Sequence, residues 1–109
     1  MARDSGLEEL LRDELGARPG LAEKAMFGGL AFMLNGNLLC GAREDGMLVR
    51  LGKGHDGWAL ALPGVSQMLA GERAMAGWVR VNADIYGDDA LRRRLLGAAL
   101  AFVESLPAK

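Results

Sequence analysis

Two side chains in this protein react readily near neutral pH, Cys40 and His55, and each is the sole member of its type. A thiol attacks as the thiolate, which needs a neighbouring base or positive field and access to solvent. A zinc site needs several ligands drawn from Cys, His and carboxylates, and one Cys and one His on separate stretches do not supply them. Phosphate cradles come next. Gly28-Gly29 and Gly52-Lys53-Gly54 are glycine-rich, but neither runs into Lys followed by Ser or Thr at a helix start, as a phosphate-binding loop requires. Gly28-Gly29 therefore reads as a bulge or kink that bends a strand, and His55 as a solvated loop residue. The sequence holds no paired carboxylates at a recognisable spacing and no Ser/His/Asp set. No metal or other cofactor is expected, and thiol chemistry at Cys40 is the one concrete enzymatic alternative.

The cationic and aromatic residues point to binding instead. Arg92-Arg93-Arg94 is the one basic run. On a helix, three successive residues fan over more than half the circumference, so the run reads as a solvated face. Trp58 and Trp78 read as core or interface fillers. Net charge is −1 and the isoelectric point about 5.8, which argues against holding nucleic acid by bulk electrostatics. A nucleic-acid binder in which Arg43, Arg50, Arg80 and Arg92–Arg94 converge is kept as an alternative.

These residues need a scaffold. The 109 residues fit one domain, 1–109, with half of them apolar and a quarter charged, the profile of a globular protein with one core. One cysteine excludes an internal disulfide. The charged N-terminal stretch lacks a signal-peptide block, and no apolar run approaches the roughly 20 residues that cross a bilayer. The reading is a reduced, cytoplasmic protein without membrane contact.

Ser5-Gly6-Leu7-Glu8 matches a capping box and opens a helix over about 5–16, with Leu7, Leu10, Leu11 and Leu15 on one face. Residues 24–34 read as a strand interrupted at Gly28-Gly29. Asn35-Gly36 is a hairpin turn, because both central residues of a type I′ turn need positive φ. Leu38–Arg43 returns, Asp45-Gly46 turns again, and Met47–Leu51 is the third strand. A short helix near Trp58–Leu62 stops at Pro63-Gly64, and strands follow near 65–70 and 77–82. Asp88 or Asp89 caps a last helix with Leu91, Leu95, Ala98 or Ala99, Phe102 and Leu106 in one stripe. The expected fold is a two-layer α+β domain with a five-stranded antiparallel sheet in α-β-β-β-α-β-β-α order.

Two-residue turns imply a register and hence two sheet faces. Ala31, Met33, Leu38, Cys40, Ala42, Met47, Val49 and Leu51 form a face without charge that packs under the helices, which makes Cys40 a buried, inert thiol. Leu30, Phe32, Leu34, Leu39, Leu48, Gly41, Arg43 and Arg50 form the other. Gly41 opposite Arg50 leaves room above it. A solvent-facing sheet with several large apolar groups marks a partner surface. Phe32, Leu34, Leu39, Leu48, Arg43 and Arg50 are accordingly the expected partner-binding residues, and a homodimer that stacks these faces is expected.

Met26-Phe27-Gly28-Gly29, the apolar strand into Asn35-Gly36, Leu48-Val49-Arg50-Leu51-Gly52, Leu62-Pro63-Gly64, Met75-Ala76-Gly77-Trp78-Val79 and the terminal Ala101-Phe102 with Ser105-Leu106-Pro107 together resemble the TfoX/Sxy N-terminal domain family, from about residue 22 to residue 107. The resemblance implies a two-layer α+β fold similar to type III secretion chaperones. It also implies a regulatory role: longer family members carry a second domain and regulate natural transformation together with a cyclic-AMP receptor transcription factor. It transfers no catalytic residues. The expectation is a small, non-enzymatic regulatory or adaptor domain that acts by protein–protein association and is linked to transcriptional regulation of competence-type genes.

Overall fold

The computed structural model describes residues 4–26 and 28–109. Asp4 starts the first element. Its Oδ1 accepts a hydrogen bond from the Leu7 amide at 3.0 Å and caps α1 (Ser5–Leu15), so the cap falls one residue before the expected Ser5. A carboxylate there also meets the positive end of the helix dipole. Leu7, Leu11 and Leu15 turn inward, and Gly16, with φ at 64°, ends the helix.

The stretch read as one kinked strand is a hairpin. β1 (Leu21–Met26) and β2 (Gly29–Leu34) pair antiparallel, from Leu21 opposite Leu34 to Met26 opposite Gly29. Gly28 holds φ at 70° beside the turn. At Gly29 a Cβ would run into the Ala42 carbonyl oxygen of the next strand. The glycine pair thus serves a reversal and a close backbone approach, not a kink. Phe27, part of the strand reading, lies outside the described residues.

The element order therefore differs from the expected one, by the extra strand here and by a short helix before the last. β3 (Asn37–Arg43) and β4 (Gly46–Arg50) lead to α2 (Gly57–Leu60), then β5 (Val65–Ala70), β6 (Arg73–Val81), α3 (Ala83–Tyr86) and α4 (Asp89–Glu104). Asn35 and Gly36 take the positive φ values, 53° and 82°, that the turn between β2 and β3 requires. Asp88 caps α4 by accepting from the Leu91 amide at 3.0 Å. The buried stripe of α4 runs Arg92, Leu95, Leu96, Ala99 and Val103, which leaves the expected Leu91 and Phe102 on its flank. The sheet is open and antiparallel, with six strands in the order β1-β2-β3-β4-β6-β5 rather than five. No helix among the described residues is long and apolar enough to cross a membrane.

One irregularity decides which residues face the helices. Leu34 pairs with Asn37 and Met33 with Leu38, but Phe32 then pairs with Cys40, Ala31 with Gly41 and Leu30 with Ala42. Leu39 is an extra residue in β3, and at such a bulge two residues of one strand oppose one of the other. Leu39 and Cys40 therefore both enter the helix-covered core, and Leu30, Phe32 and Leu34 join them. Met33, Ala31 and Leu38 go to the opposite face.

This corrects the expected faces. Phe32, Leu34 and Leu39 are 0%, 3% and 0% exposed, inside the core, so a second copy has no such face to stack upon. Between β3 and β4 the register also differs by two residues: Arg43 pairs with Gly46 and Gly41 with Leu48. A shift of two preserves the faces, because side chains alternate with period two. The space above Gly41 belongs to Leu48, whose Cδ1 lies 3.8 Å from where a Cβ would stand, and not to Arg50.

Neighbouring residues on β2 should therefore respond oppositely to truncation. Phe32→Ala is expected to cost about 3–5 kcal/mol by urea unfolding, whereas Met33→Ala, half-exposed on the other side, should cost less than about 1 kcal/mol. The reverse order would place the bulge elsewhere.

Candidate interaction surface

The four helices of the described residues pack on one side of the sheet. The main core draws on Leu7, Leu11, Ala59, Ile85, Leu95 and Val103 of those helices, with one face of the strands. A second, smaller cluster consists of Leu48, Met68 and Trp78, with half-buried Leu38 and Met75 packed against it. Each of these is a strand residue, so no helix covers that face.

The register reads out this outer face as rows. Lys24, Ala31, Gly41, Leu48, Arg80 and Ser66 are successive partners across all six strands. Apolar and small residues, Ala31, Gly41 and Leu48, fill the middle of the row, and Lys24 and Arg80 stand towards its ends. Ala22, Met33 and Leu38 begin the adjacent row, and Arg50 pairs with Trp78 further along it. Met26 pairs with Gly29, over which the Arg43 stem lies. Met26, Met33, Leu38 and Met75 are half-exposed, while Leu48 and Trp78 form the floor.

Charge is sorted just as sharply. Glu23 is the one acid within the six strands, and it pairs with Phe32 on the helix side. There Arg12 of α1 donates to both its oxygens, Nε to Oε2 at 2.9 Å and Nη2 to Oε1 at 2.8 Å. On the outer side stand Lys24, Arg43, Arg50 and Arg80. Arg43 grips Asp45 of the β3–β4 turn through Nε and Nη2 at 2.8 and 2.7 Å. Arg80 donates through Nη1 to the Asp45 carbonyl at 2.9 Å and through Nη2 to the Ser66 hydroxyl at 3.4 Å. Arg50 reaches round the sheet end, donating to the Leu38 carbonyl at 3.2 Å, with its guanidinium 5.5 Å from the Phe102 ring centre. A hollow of about 540 Å³ lies where Arg43, Asp45, Ser66, Gln67, Leu69 and Arg80 meet. Leu69 is 55% exposed beside it.

Of the expected partner residues, the structure brings Leu48, Arg43 and Arg50 to this face and takes Phe32, Leu34 and Leu39 away. Met26, Met33, Leu38, Met75 and Leu69 are the surface residues that sequence reasoning missed or assigned to the core. The clustering of methionine on strands was the available signal.

The arginine run does three separate things. Arg92 is nearly buried and donates to Glu14 Oε1, the Tyr86 carbonyl and Asp89 Oδ1 at 3.2, 2.9 and 2.9 Å. Arg93 pairs with Glu14 at 3.5 Å, and the Arg94 guanidinium lies 4.3 Å from the Trp58 ring centre. The run belongs to the helix layer, so it does not converge with Arg43 and Arg80. A second concavity, about 690 Å³, lies between α4 and the loop after β4, with His55, Trp58, Ala98, Phe102 and Ser105 in its walls. Trp58 and Phe102 already have arginine partners within the chain. Among the described residues no His, Cys, Asp and Glu group could hold a metal.

Cys40 lies in the main core, 1% exposed, and burial pushes its thiol far above the ordinary range. It should resist a bulky maleimide in the folded protein and label only as fast as the chain unfolds; rapid labelling without denaturant would show that the core opens locally. The Asp45 carboxyl is held below its usual value, chiefly by the Arg43 hydrogen bonds. A depressed folded value stabilises above the unfolded value and is lost as pH falls through the folded one. The stability advantage of the native protein over Asp45→Asn should therefore shrink below about pH 4. It should also be small at any pH, because the pair is partly solvated.

No curated protein and no solved structure matched the chain; the likeness to type III secretion chaperones rests on the family resemblance alone. The model of the TfoX N-terminal domain matches residues 13–103. With that match spanning most of its 109 residues, the chain belongs to the TfoX N-terminal domain family.

Proposed function

We propose that this domain is a small, non-enzymatic regulatory adaptor that works by binding a protein partner through the outer face of its sheet. The single observation that carries this reading is the second apolar cluster, built from strand residues alone and left without a covering layer. The cluster itself is closely packed, but Met26, Met33, Leu38 and Met75 around it are half-exposed; apolar side chains gathered on one open face suit a binding site, methionines above all, since their flexible, polarizable chains repack against varied partners. The family is associated with regulation of competence, which supports a role in transcriptional control. A reduced, cytoplasmic setting suits a chain whose one cysteine is a free, buried thiol. The sealing of Cys40 also weighs against the thiol-enzyme alternative.

Affinity capture from the native cell, with wild type and Met33→Glu compared side by side, tests the reading. The carboxylate would stand on the outer face and leave the core intact, so circular dichroism and melting should be near wild type. The expected result is loss of the captured partner. A partner kept by Met33→Glu and lost when Phe102 or Trp58 is changed would move the site to the concavity beside α4.

A further inference from the structure

We propose that the outer sheet face docks an acidic amphipathic helix of the partner protein. The proposal rests on the adaptor reading above and specifies the occupant. Charge complementarity is its first ground. Every cation on the face stands at the border of an apolar centre, and no strand position on that side carries an acid. Lys24 makes no ion pair among the described residues, and neither Arg80 nor Arg50 is within ion-pair distance of a carboxylate there. A second copy laid face to face would bring these cations together, which opposes self-stacking.

Shape is the second ground. The face presents side chains rather than unpaired backbone groups, so a partner strand gains nothing there that the sheet edges would not offer better. An amphipathic helix offers an apolar stripe to Met33, Leu38 and Met75 and acidic flanks to Lys24 and Arg80. A helix of about 16 residues is about 24 Å long, within the 30 Å breadth of the domain. Single-stranded nucleic acid fits less well, because stacking needs open aromatic faces and, among the described residues, the one ring on this face, Trp78, is 7% exposed beneath methionines.

The methionines themselves provide the test. Carbon-13 methyl-methionine spectra of the full chain are recorded during titration with a Leu/Glu amphipathic peptide of about 16 residues. A Leu/Lys peptide of the same pattern and a single-stranded oligonucleotide serve as comparison probes. The methyl signals of Met26, Met33 and Met75 should move with the Leu/Glu peptide alone, while Met47, on the helix side, stays still. Lys24→Glu combined with Arg80→Glu should weaken binding roughly tenfold, and added salt should weaken binding to the wild type. Equal responses to both peptides would overturn the acidic partner and leave the adaptor reading standing. Shifts that grow with protein concentration alone would make the occupant a second copy. Tighter binding of the oligonucleotide at the same methyls would make it nucleic acid. A face that answers no probe while Met33→Glu still loses its captured partner would reject the acidic helix and keep the reading.

Discussion

The arrangement of this domain hangs on one additional residue in β3. A regular strand gives each face of a sheet alternate residues, and this sequence supplies more large apolar groups than one alternation can sort. The bulge at Leu39 lets two consecutive residues face the helices and changes the phase of pairing between β2 and β3. Leu30, Phe32 and Leu34 thereby share a core with Cys40 and Ala42. Without it, the three large side chains of β2 and the two small ones of β3 would face opposite ways. The same residue makes the outer face what it is, since Met33 and Leu38 are delivered there by the change of phase.

The helix layer is fixed over that core by two polar devices. Arg12 of α1 holds Glu23 of β1 with two hydrogen bonds, which ties the edge strand to the layer above it. Arg92 of α4 donates to Glu14 of α1 and to the carbonyl of Tyr86 in α3, as well as to Asp89 of its own helix. A buried guanidinium is costly to desolvate unless each direction finds an acceptor. Here three acceptors from three helices surround it, so the cost falls on any arrangement in which those helices move apart.

Legibility in the sequence followed the strength of the local signal. Asn35-Gly36, the Asp88 cap and the apolar stripes of α1 and α4 carry their own physics within a few residues, and all were readable within one or two positions. β1 was not, because Leu-Ala-Glu-Lys-Ala-Met has low strand propensity and is mostly exposed; it is a strand because β2 and Arg12 hold it. The Leu39 bulge has no local mark, since it is selected by the packing of both faces at once. That is why Phe32, Leu34 and Leu39 were read onto the open face although they lie in the core, while Arg43 and Arg50 were read onto the side of the sheet on which they stand. Arg92 misled for a related reason: a run of like charges looks solvated until a fold brings acceptors to one of them.

The separation of charge between the layers has a bearing on how the molecule behaves in bulk. Helices α1, α3 and α4 hold seven acidic residues and four arginines, while the strands carry cations on the far side of the sheet, so a protein of net charge −1 divides its charge unequally between its two sides. Such a molecule attracts its own kind head to tail, sheet side to helix side, an arrangement that does not close on itself. Near its isoelectric point of about 5.8, with little net repulsion to oppose that attraction, dissolved salt screens the unlike charges. Added electrolyte therefore works against head-to-tail association of this molecule.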